Sequence, residues 1–340
     1  MKVTVVAGGV GGAKFVKGLR ALLQRDHPEQ EISVVANVGD DMWLSGLKVC
    51  PDLDSLMYAL AGVNDAERGW GRQDESERVS AEMDSYGVGW PWFTLGDLDL
   101  GTHIARTGLL REGLPLSEVT ARLCSRWDLG ARLLPAADSE VETWVELEPG
   151  HQEPDSEEPR SVHFEEWWVR LRAGVPASRF HQRGAAEAQP GVGVREAILE
   201  ADVVLLAPSN PVVSVGTVLG FPGGEGREGV PGIPGIAEAV RQTHASVVGV
   251  SPIIGQSPVH GMARQCLEAV GQECSAQAVG LAHGARSEGG LLDGWLVDTE
   301  DAPALEPLRR AGLKAEAVPL WMSEEETSAA LAADALKLAG

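Results

Sequence analysis

"KVTVVAGGVGGAKFVKGLRALLQ", residues 2–24, decides the fold: a β-branched run, four glycines at positions 8, 9, 11 and 12, then Phe15, Leu19 and Leu22 at helical spacing. A strand that turns through glycines straight into an amphipathic helix is the first half of a β-α-β unit. "EISVVANVGDD" at 31–41 supplies the second strand, ending in an amide and paired acids. The same grammar returns in "DVVLLAPSN" (202–210), "ASVVGVSPIIG" (245–255) and "GWLVD" (294–298), with helical stretches at 233–243 and 258–270 between them. Strands alternating with helices predict an α/β protein whose mainly parallel sheet is covered on both faces.

The middle of the chain breaks this rhythm. Residues 53–130 read mainly as helices, whereas "EVETWVELE" (140–148) and "VHFEEWWVRLR" (162–172) alternate like antiparallel strands around the polar stretch 149–160. We therefore expect a core from 1–60 and 195–340, interrupted by a mixed helical and antiparallel insertion over 61–194 that forms a substrate lobe. The Gly/Pro-rich stretch 220–235 has no packing pattern and predicts a functional or disordered loop. Trp43, Trp70, Trp90, Trp92, Trp167 and Trp168 read as packing residues rather than a stacking platform. There is no internal repeat.

The 340 residues carry 28 Lys plus Arg against 50 Asp plus Glu, a formal charge of -22, and no basic run offsets it. Nucleic acid and anionic membrane surfaces are excluded as partners, because both demand a basic face. Cys50, Cys124, Cys266 and Cys274 are too widely spaced for a zinc site or a disulfide framework and predict buried thiols. No apolar run reaches the ~18 residues of a membrane span. The chain reads as cytoplasmic.

The opening loop fits neither standard nucleotide motif. In a Walker A loop begun at Gly8, Ala13 stands where glycine is needed and Phe15 where a hydroxyl is needed; in a dinucleotide fingerprint begun at Gly9, Lys14 replaces the third glycine. What remains is a helix N-terminus at which Gly8, Gly9, Gly11 and Gly12 let backbone amides approach an anion and Lys14 adds a charge. "NVGDDMWLSGLKVCPDLDSLMYAL" (37–60) places Asn37, Asp40 and Asp41 just past the second strand, with Asp52 and Asp54 following. Oxygen donors of this kind suit Mg²⁺ bridging a diphosphate, although Asp52 alone could equally cap a helix. "LGDLDLGTHIARTGLLREG" (95–113) offers Asp97, Asp99, His103, Arg106 and Arg111, with His103 and Arg106 on one face of a helix begun near Thr102. Ser209 and Asn210 end a strand before Ser214, and Ser251 sits in a similar polar turn.

Taken in order, "AGGVGGAK", "NVGDDMWLSGLKVCPDLD", "RGWGRQDES", "LGDLDLGTHI", "HFEEWWVR", "SNPVVSVG" and "VSPIIGQSPVHG" resemble the 2-phospho-L-lactate transferase family of coenzyme F420 biosynthesis over nearly the whole chain. The middle insertion resembles the actinobacterial branch, thought to use the phosphoenolpyruvyl donor. The resemblance implies a Rossmann-like three-layer core, a cytoplasmic homodimer and Mg²⁺ as cofactor. It also implies transfer of a phosphoenolpyruvyl or 2-phospho-L-lactyl group from a guanosine diphosphate-linked donor to the ribityl hydroxyl of the deazaflavin Fo, releasing GMP. On this reading Asp40, Asp52 and Asp54 hold the metal and carry the chemistry. The donor takes Gly8, Gly9, Gly11, Gly12, Lys14, Ser209, Asn210, Ser214 and Ser251; the acceptor takes Asn37, Asp41, Asp97, His103 and Arg106. The chain departs from the family pattern at Leu98 and Gly101, where arginine and alanine are usual. The rival readings are a nucleotide-sugar-binding regulatory protein of the related transferase-like family and, more remotely, a nicotinamide-dependent oxidoreductase.

Overall fold

In the first strand Val3, Val5 and Val6 are all buried, so a side chain on either face meets protein and the strand must lie inside a covered sheet. The structure, a computed structural model, describes residues 1–65, 68–89, 92–150, 160–259 and 261–340. Trp90, His260 and most of the polar stretch 149–160 singled out in the sequence fall outside these.

Seven parallel strands form the sheet: β1 (Lys2–Ala7), β2 (Glu31–Ala36), β3 (Arg132–Pro135), β4 (Val203–Leu206), β5 (Ser246–Val250), β6 (Gly294–Val297) and β7 (Lys314–Ala317). Their spatial order is β3-β2-β1-β4-β5-β6-β7, flanked by helices. The chain winds one way from β1 and the other way from β4, so the topological switch point lies between those two strands. Open α/β sheets bind ligands in the crevice beyond the carboxyl ends of the strands at that point.

The expected boundaries of the insertion need correction. β3 lies within 61–194 yet pairs in parallel with β2, Ser33 opposite Arg132 through Ala36 opposite Pro135, and completes the main sheet. Two excursions replace the single inserted block. The first is mainly helical and includes Asp97–Arg111; the second is a three-stranded antiparallel sheet of Glu142–Leu147, Ser161–His163 and Ala177–Arg183. Its third strand and β7 had no clear counterpart in the sequence pattern. Residues 166–170, expected to continue a strand, form a π-helical turn instead. The helix expected near Thr102 starts at Asp97, which leaves Gly101 inside it with open space around its Cα. The 220–235 segment is packed: Phe221 and Val230 are buried and exchange backbone hydrogen bonds of 2.9 Å.

Helix α1 (Gly9–Asp26) follows β1 and packs on the C-terminal helix (Glu325–Ala339), whose face of Ala329, Ala332 and Ala335 is buried. Small residues set that approach: a Cβ at Gly18 would overlap the backbone of Ser328. Gly18→Val should therefore cost about 1–3 kcal/mol through overpacking, read as a lower urea midpoint. Wild-type stability would show that the two helices separate freely.

Candidate active site

Strand register places the first residues of the site. β1 and β2 end level, Ala7 opposite Ala36, and Val6 lies opposite Leu206 of β4, so Gly8, Asn37 and the 207–209 turn meet at the carboxyl edge. The Ser209 hydroxyl accepts from the Gly8 N–H at 3.1 Å and donates to the Gly8 carbonyl at 2.7 Å, bridging the switch point. Gly8 is extended, and its missing side chain matters for space. A Cβ there would overlap a carboxylate oxygen of Asp52 and approach Ser214 Cβ at 2.9 Å and Asn37 Cβ at 3.0 Å. Gly12 is glycine for a similar reason, since a Cβ would lie 2.7 Å from Ser209 Oγ.

Asp52 arrives from the other side. A hairpin of Met42–Leu44 and Leu47–Val49, turned by Ser45 and Gly46 with φ of 50° and 79°, returns the chain so that Pro51 opens helix α2 (Pro51–Ala61). The Asn37 amide donates to Asp52 Oδ2 at 2.9 Å, while Asn37 Oδ1 accepts from the Gly39 N–H at 2.9 Å. The backbone amide of Gly9 also donates to Asp52. The positive end of α1 thus holds the Asp52 carboxylate, in the place where the sequence suggested a phosphate.

Two further carboxylates close in. Asp40, Asp52 and Glu165 are 5%, 5% and 7% exposed, so all three are removed from water. Burial pushes the Asp40 carboxyl well above its ordinary range, and the neighbouring charges of Asp52, Glu165 and Asp41 add to that shift. Burial and then Asp52 carry Glu165 up to about 8. Asp52 itself rises to about 6 through burial, held back by Asn37 and Gly9. Among the described residues, one oxygen of Asp40 is buried with no hydrogen-bond partner. Beside them Asp41, lifted to about 7 by burial against the opposing pull of Lys48, lies 4.0 Å from the Lys48 ammonium. Glu165 was absent from the sequence-derived site. Its signal was an acid between two apolar anchors, Phe164 and Trp167, both buried.

Asp54 does not join this cluster. On α2 it lies two residues from Asp52 and faces a different way, into a second buried network on the helix Asp97–Arg111. The Arg106 guanidinium grips both Asp54 oxygens, one at 3.0 Å, and His103 lies 3.6 Å from Asp54 and 3.4 Å from Asp99. Tyr58 donates to Asp99 at 2.7 Å. Burial acts to raise Asp99, but His103 and Tyr58 bring its carboxyl below the ordinary value. Asp54, Asp99 and His103 are close enough to hold a cation, but the Arg106 guanidinium already serves Asp54 with its charge.

The structure also gives other expected contact residues local tasks. Asp97 accepts from the Ser76 amide at 3.0 Å and the Ser76 hydroxyl at 2.8 Å, pinning a loop to the helix start. Asn210 Oδ1 accepts from the Val212 and Val213 amides, and its amide nitrogen points to Cys266 Sγ at 3.4 Å. Ser251 closes a turn on Ile253 with bonds of 2.8 and 3.1 Å. Ser214 is buried against Gly8, Gly11 is buried within α1, and Lys14 is half-buried on the same helix. Ser209, Asn210 and Ser251 therefore build the sheet edge in this structure instead of presenting free groups to a donor.

A family model described as "2-phospho-L-lactate transferase CofD" matches residues 3–329. Among curated proteins, a phosphoenolpyruvate transferase from Mycobacterium sp. (strain JLS) is 47% identical over 349 aligned residues, covering 100% of this chain and 99% of that protein. The phosphoenolpyruvate transferase of Streptomyces avermitilis is 50% identical over 339 aligned residues, covering 100% and 98%. Among solved structures, a UPF0052 family member from Bacillus halodurans superposes with a TM-score of 0.58 at 18% identity, covering 98% of each chain, and shares the fold. Among the described residues, no helix is long and apolar enough to cross a membrane.

Asp54→Asn should destabilise the protein by about 3–5 kcal/mol in urea unfolding, because it strips the buried Arg106 of its countercharge. A near-neutral result would return Asp54 to the candidates for chemistry. The acidic cluster sets a pH dependence of its own. Unfolded, these carboxyls titrate near ~4; folded, Asp52, Asp41 and Glu165 titrate at about 6, 7 and 8. Between those limits the folded chain binds more protons than the unfolded one, so the stability present below the unfolded values is lost as pH rises. The melting temperature of cation-free protein should fall between about pH 5 and about pH 8. A flat or rising profile would show that the cluster ionises without strain.

Proposed function

The chain belongs to the 2-phospho-L-lactate transferase CofD family, and from that premise we propose that it is a transferase of coenzyme F420 biosynthesis. It moves a phosphoenolpyruvyl group from a guanosine diphosphate-linked donor to the ribityl hydroxyl of Fo and releases GMP. The names of its curated relatives support the phosphoenolpyruvyl donor over the 2-phospho-L-lactyl one. The observation that carries the proposal is the buried pair Asp40 and Asp52 at the switch point of the sheet, where a phosphate-bearing donor would lie.

Mg²⁺ fits these residues. The donor atoms are hard carboxylate oxygens, one oxygen of Asp40 is buried without a partner, and the charges that act on Asp40 are all carboxylates. Asp40 and Asp52 are the residues that would hold the ion, which when bound neutralises the charge developing on the transferred phosphoryl group. The protein's own part is positioning. Asn37 and Gly9 fix the Asp52 carboxylate, Ser209 ties the Gly8 turn to β4, and the close packing around Gly8 and Gly12 keeps that turn rigid. The acceptor hydroxyl attacks phosphorus in line, its oxygen forming the new bond and its proton passing to a carboxylate of the cluster as the GMP phosphate oxygen leaves, and no covalent enzyme intermediate is needed. On this reading the working form is a cytoplasmic homodimer, and Asp41 beside the cluster stays on the acceptor side.

The test is an endpoint assay by mass spectrometry with purified protein, Mg²⁺, Fo and each guanosine-linked donor in turn. GMP and the phosphodiester product should form with the phosphoenolpyruvyl donor and disappear with EDTA. Asp52→Asn should lower turnover at least about 100-fold, the ~2.7 kcal/mol of one lost charge-stabilising contact. No product with either donor from folded protein overturns the proposal, and near-normal turnover of the variant reduces Asp52 to a helix cap.

A further inference from the structure

The acceptor residues suggested by the sequence are largely committed to the fold. Arg106 and His103 are taken up with Asp54 and Asp99, Asp97 holds Ser76, and Asn37 bonds Asp52 and Gly39. Polar groups suited to a second substrate lie instead where the inserted antiparallel sheet meets the core. Its strand Glu142–Leu147 docks beside Asp40, because the Thr143 N–H donates to the carbonyl of the preceding residue, Gly39, at 2.6 Å. Burial alternates along that strand, so Thr143, Val145 and Leu147 face inward. Gln182 stands directly opposite Thr143 in the register and shares that face.

Both side chains are enclosed and neither is satisfied. Thr143 is 0% exposed and Gln182 8%, yet among the described residues the Thr143 hydroxyl and both the oxygen and the nitrogen of the Gln182 amide have no hydrogen-bond partner. Asp40 Oδ1, on the same seam, shares that condition. The surroundings make the contrast. Thr217 also abuts Gly39, where an added Cβ would lie 2.7 Å from its Cγ2, but its hydroxyl donates to the Val213 carbonyl at 2.8 Å. On the outer face of the sheet, His181 meets Glu146 at 3.0 Å and Arg183 covers the Trp144 ring at 3.7 Å. Buried polar groups are ordinarily paired, so an amide, a hydroxyl and a carboxylate oxygen left open along one seam point to a ligand. Gln182 also borders an open groove of about 600 Å³ between the segment Phe221–Pro231 and the strand Ala177–Arg183, the last of its sheet, which gives such a ligand a way in.

Chemistry selects the ligand. Each hydroxyl of a polyol both donates and accepts, so successive hydroxyls can serve the amide nitrogen, the amide oxygen, the Thr143 hydroxyl and the Asp40 carboxylate in turn. A phosphate or carboxylate would meet Asp40 with like charge and find no cation among these groups. Resting on the transferase reading above, we propose that Thr143 and Gln182 hold the hydroxyl-bearing chain of the acceptor and so deliver its terminal hydroxyl to Asp40. The remainder of the acceptor lies in the groove. The inserted sheet is then the binding face for the acceptor, opposite the glycine turn and α2 on the donor side.

Thr143→Val and Gln182→Leu remove the polar atoms with little change of volume, and initial rates are measured with Fo and the phosphoenolpyruvyl donor varied in turn. Each variant should raise the KM for Fo at least about 5-fold and leave the KM for the donor within about 2-fold. Thr143→Ser, which keeps the hydroxyl, should match wild type. Melting temperatures of the substrate-free proteins give a second reading: both apolar variants should melt higher, since each removes a buried polar group that lacks a partner. An unchanged KM for Fo in the active variants overturns the assignment and leaves the transferase reading standing. Lower melting temperatures, or failure to fold, would show that these groups are already satisfied within the fold, and overturn it equally. No turnover by folded wild type with either donor overturns the transferase reading, and the assignment with it.

Discussion

Three carboxylates buried together at the end of a parallel sheet form the constraint on which the rest of the structure turns. Like charges removed from water repel one another strongly, so the chain must hold Asp40, Asp52 and Glu165 by covalent position and packing. Each is delivered by a different device. Strand register puts Asn37 and the following loop beside Gly8; a two-residue hairpin turn swings α2 back so that Asp52 meets the N-terminus of α1; the inserted sheet, hydrogen-bonded to Gly39, brings Glu165. The compensations in the protein itself are few: the Asn37 amide and the Gly9 N–H serve Asp52, and Asn37 also opposes the rise of Asp40. Among the described residues, Asp40 Oδ1 stays buried without a hydrogen-bond partner.

One turn of α2 separates this unbalanced cluster from a balanced one. Asp52 and Asp54 are both in the first turn, two residues apart, and a helix sends such neighbours to different faces. On the Asp54 side the helix Asp97–Arg111 supplies Arg106 and His103, so the acids Asp54 and Asp99 are matched by a guanidinium and an imidazole, and Tyr58 adds a donor. Buried pairs of this kind fix the angle between two helices; breaking one leaves a charge without a partner. The same turn thus carries a charge-matched network on one face and a cluster of acids on the other.

The fold was legible because its signals are local. β-branched or aliphatic runs ending in glycine, an acid or an amide mark five of the seven strands, and the glycine turn after β1 marks the switch point. β3 was missed because four residues flanked by helices and by an antiparallel excursion carry no period of their own, and only pairing with β2 makes Arg132–Pro135 a strand. The site was legible as a set of residue types and not as an arrangement. Asp40 and Asp52 come together as their spacing suggested, but Asp54 is drawn away by Arg106, a partner 52 residues along the chain. Glu165 lies 113 residues beyond Asp52 by the sequence numbering and enters only through the docking of the inserted sheet. Ser209, Asn210 and Ser251 carry the right chemistry for a ligand and spend it on the sheet edge.

The glycine loop also explains why no standard phosphate motif is present. A helix N-terminus attracts one anion, and here the Asp52 carboxylate has taken the place. A loop that held phosphate directly would need Gly9 and its neighbours free, and a chain of formal charge -22 has little else with which to attract a nucleoside diphosphate. Placing Asp52 there changes the sign of the problem. On the proposed reading, the helix dipole fixes a carboxylate, and that carboxylate with its neighbours would hold a divalent cation that supplies the positive charge a phosphate-binding loop would otherwise give. The close approaches at Gly8 and Gly12 serve the first of these steps: any side chain at Gly8 would occupy the space of the Asp52 carboxylate, and any at Gly12 would push away the Ser209 hydroxyl that holds the turn.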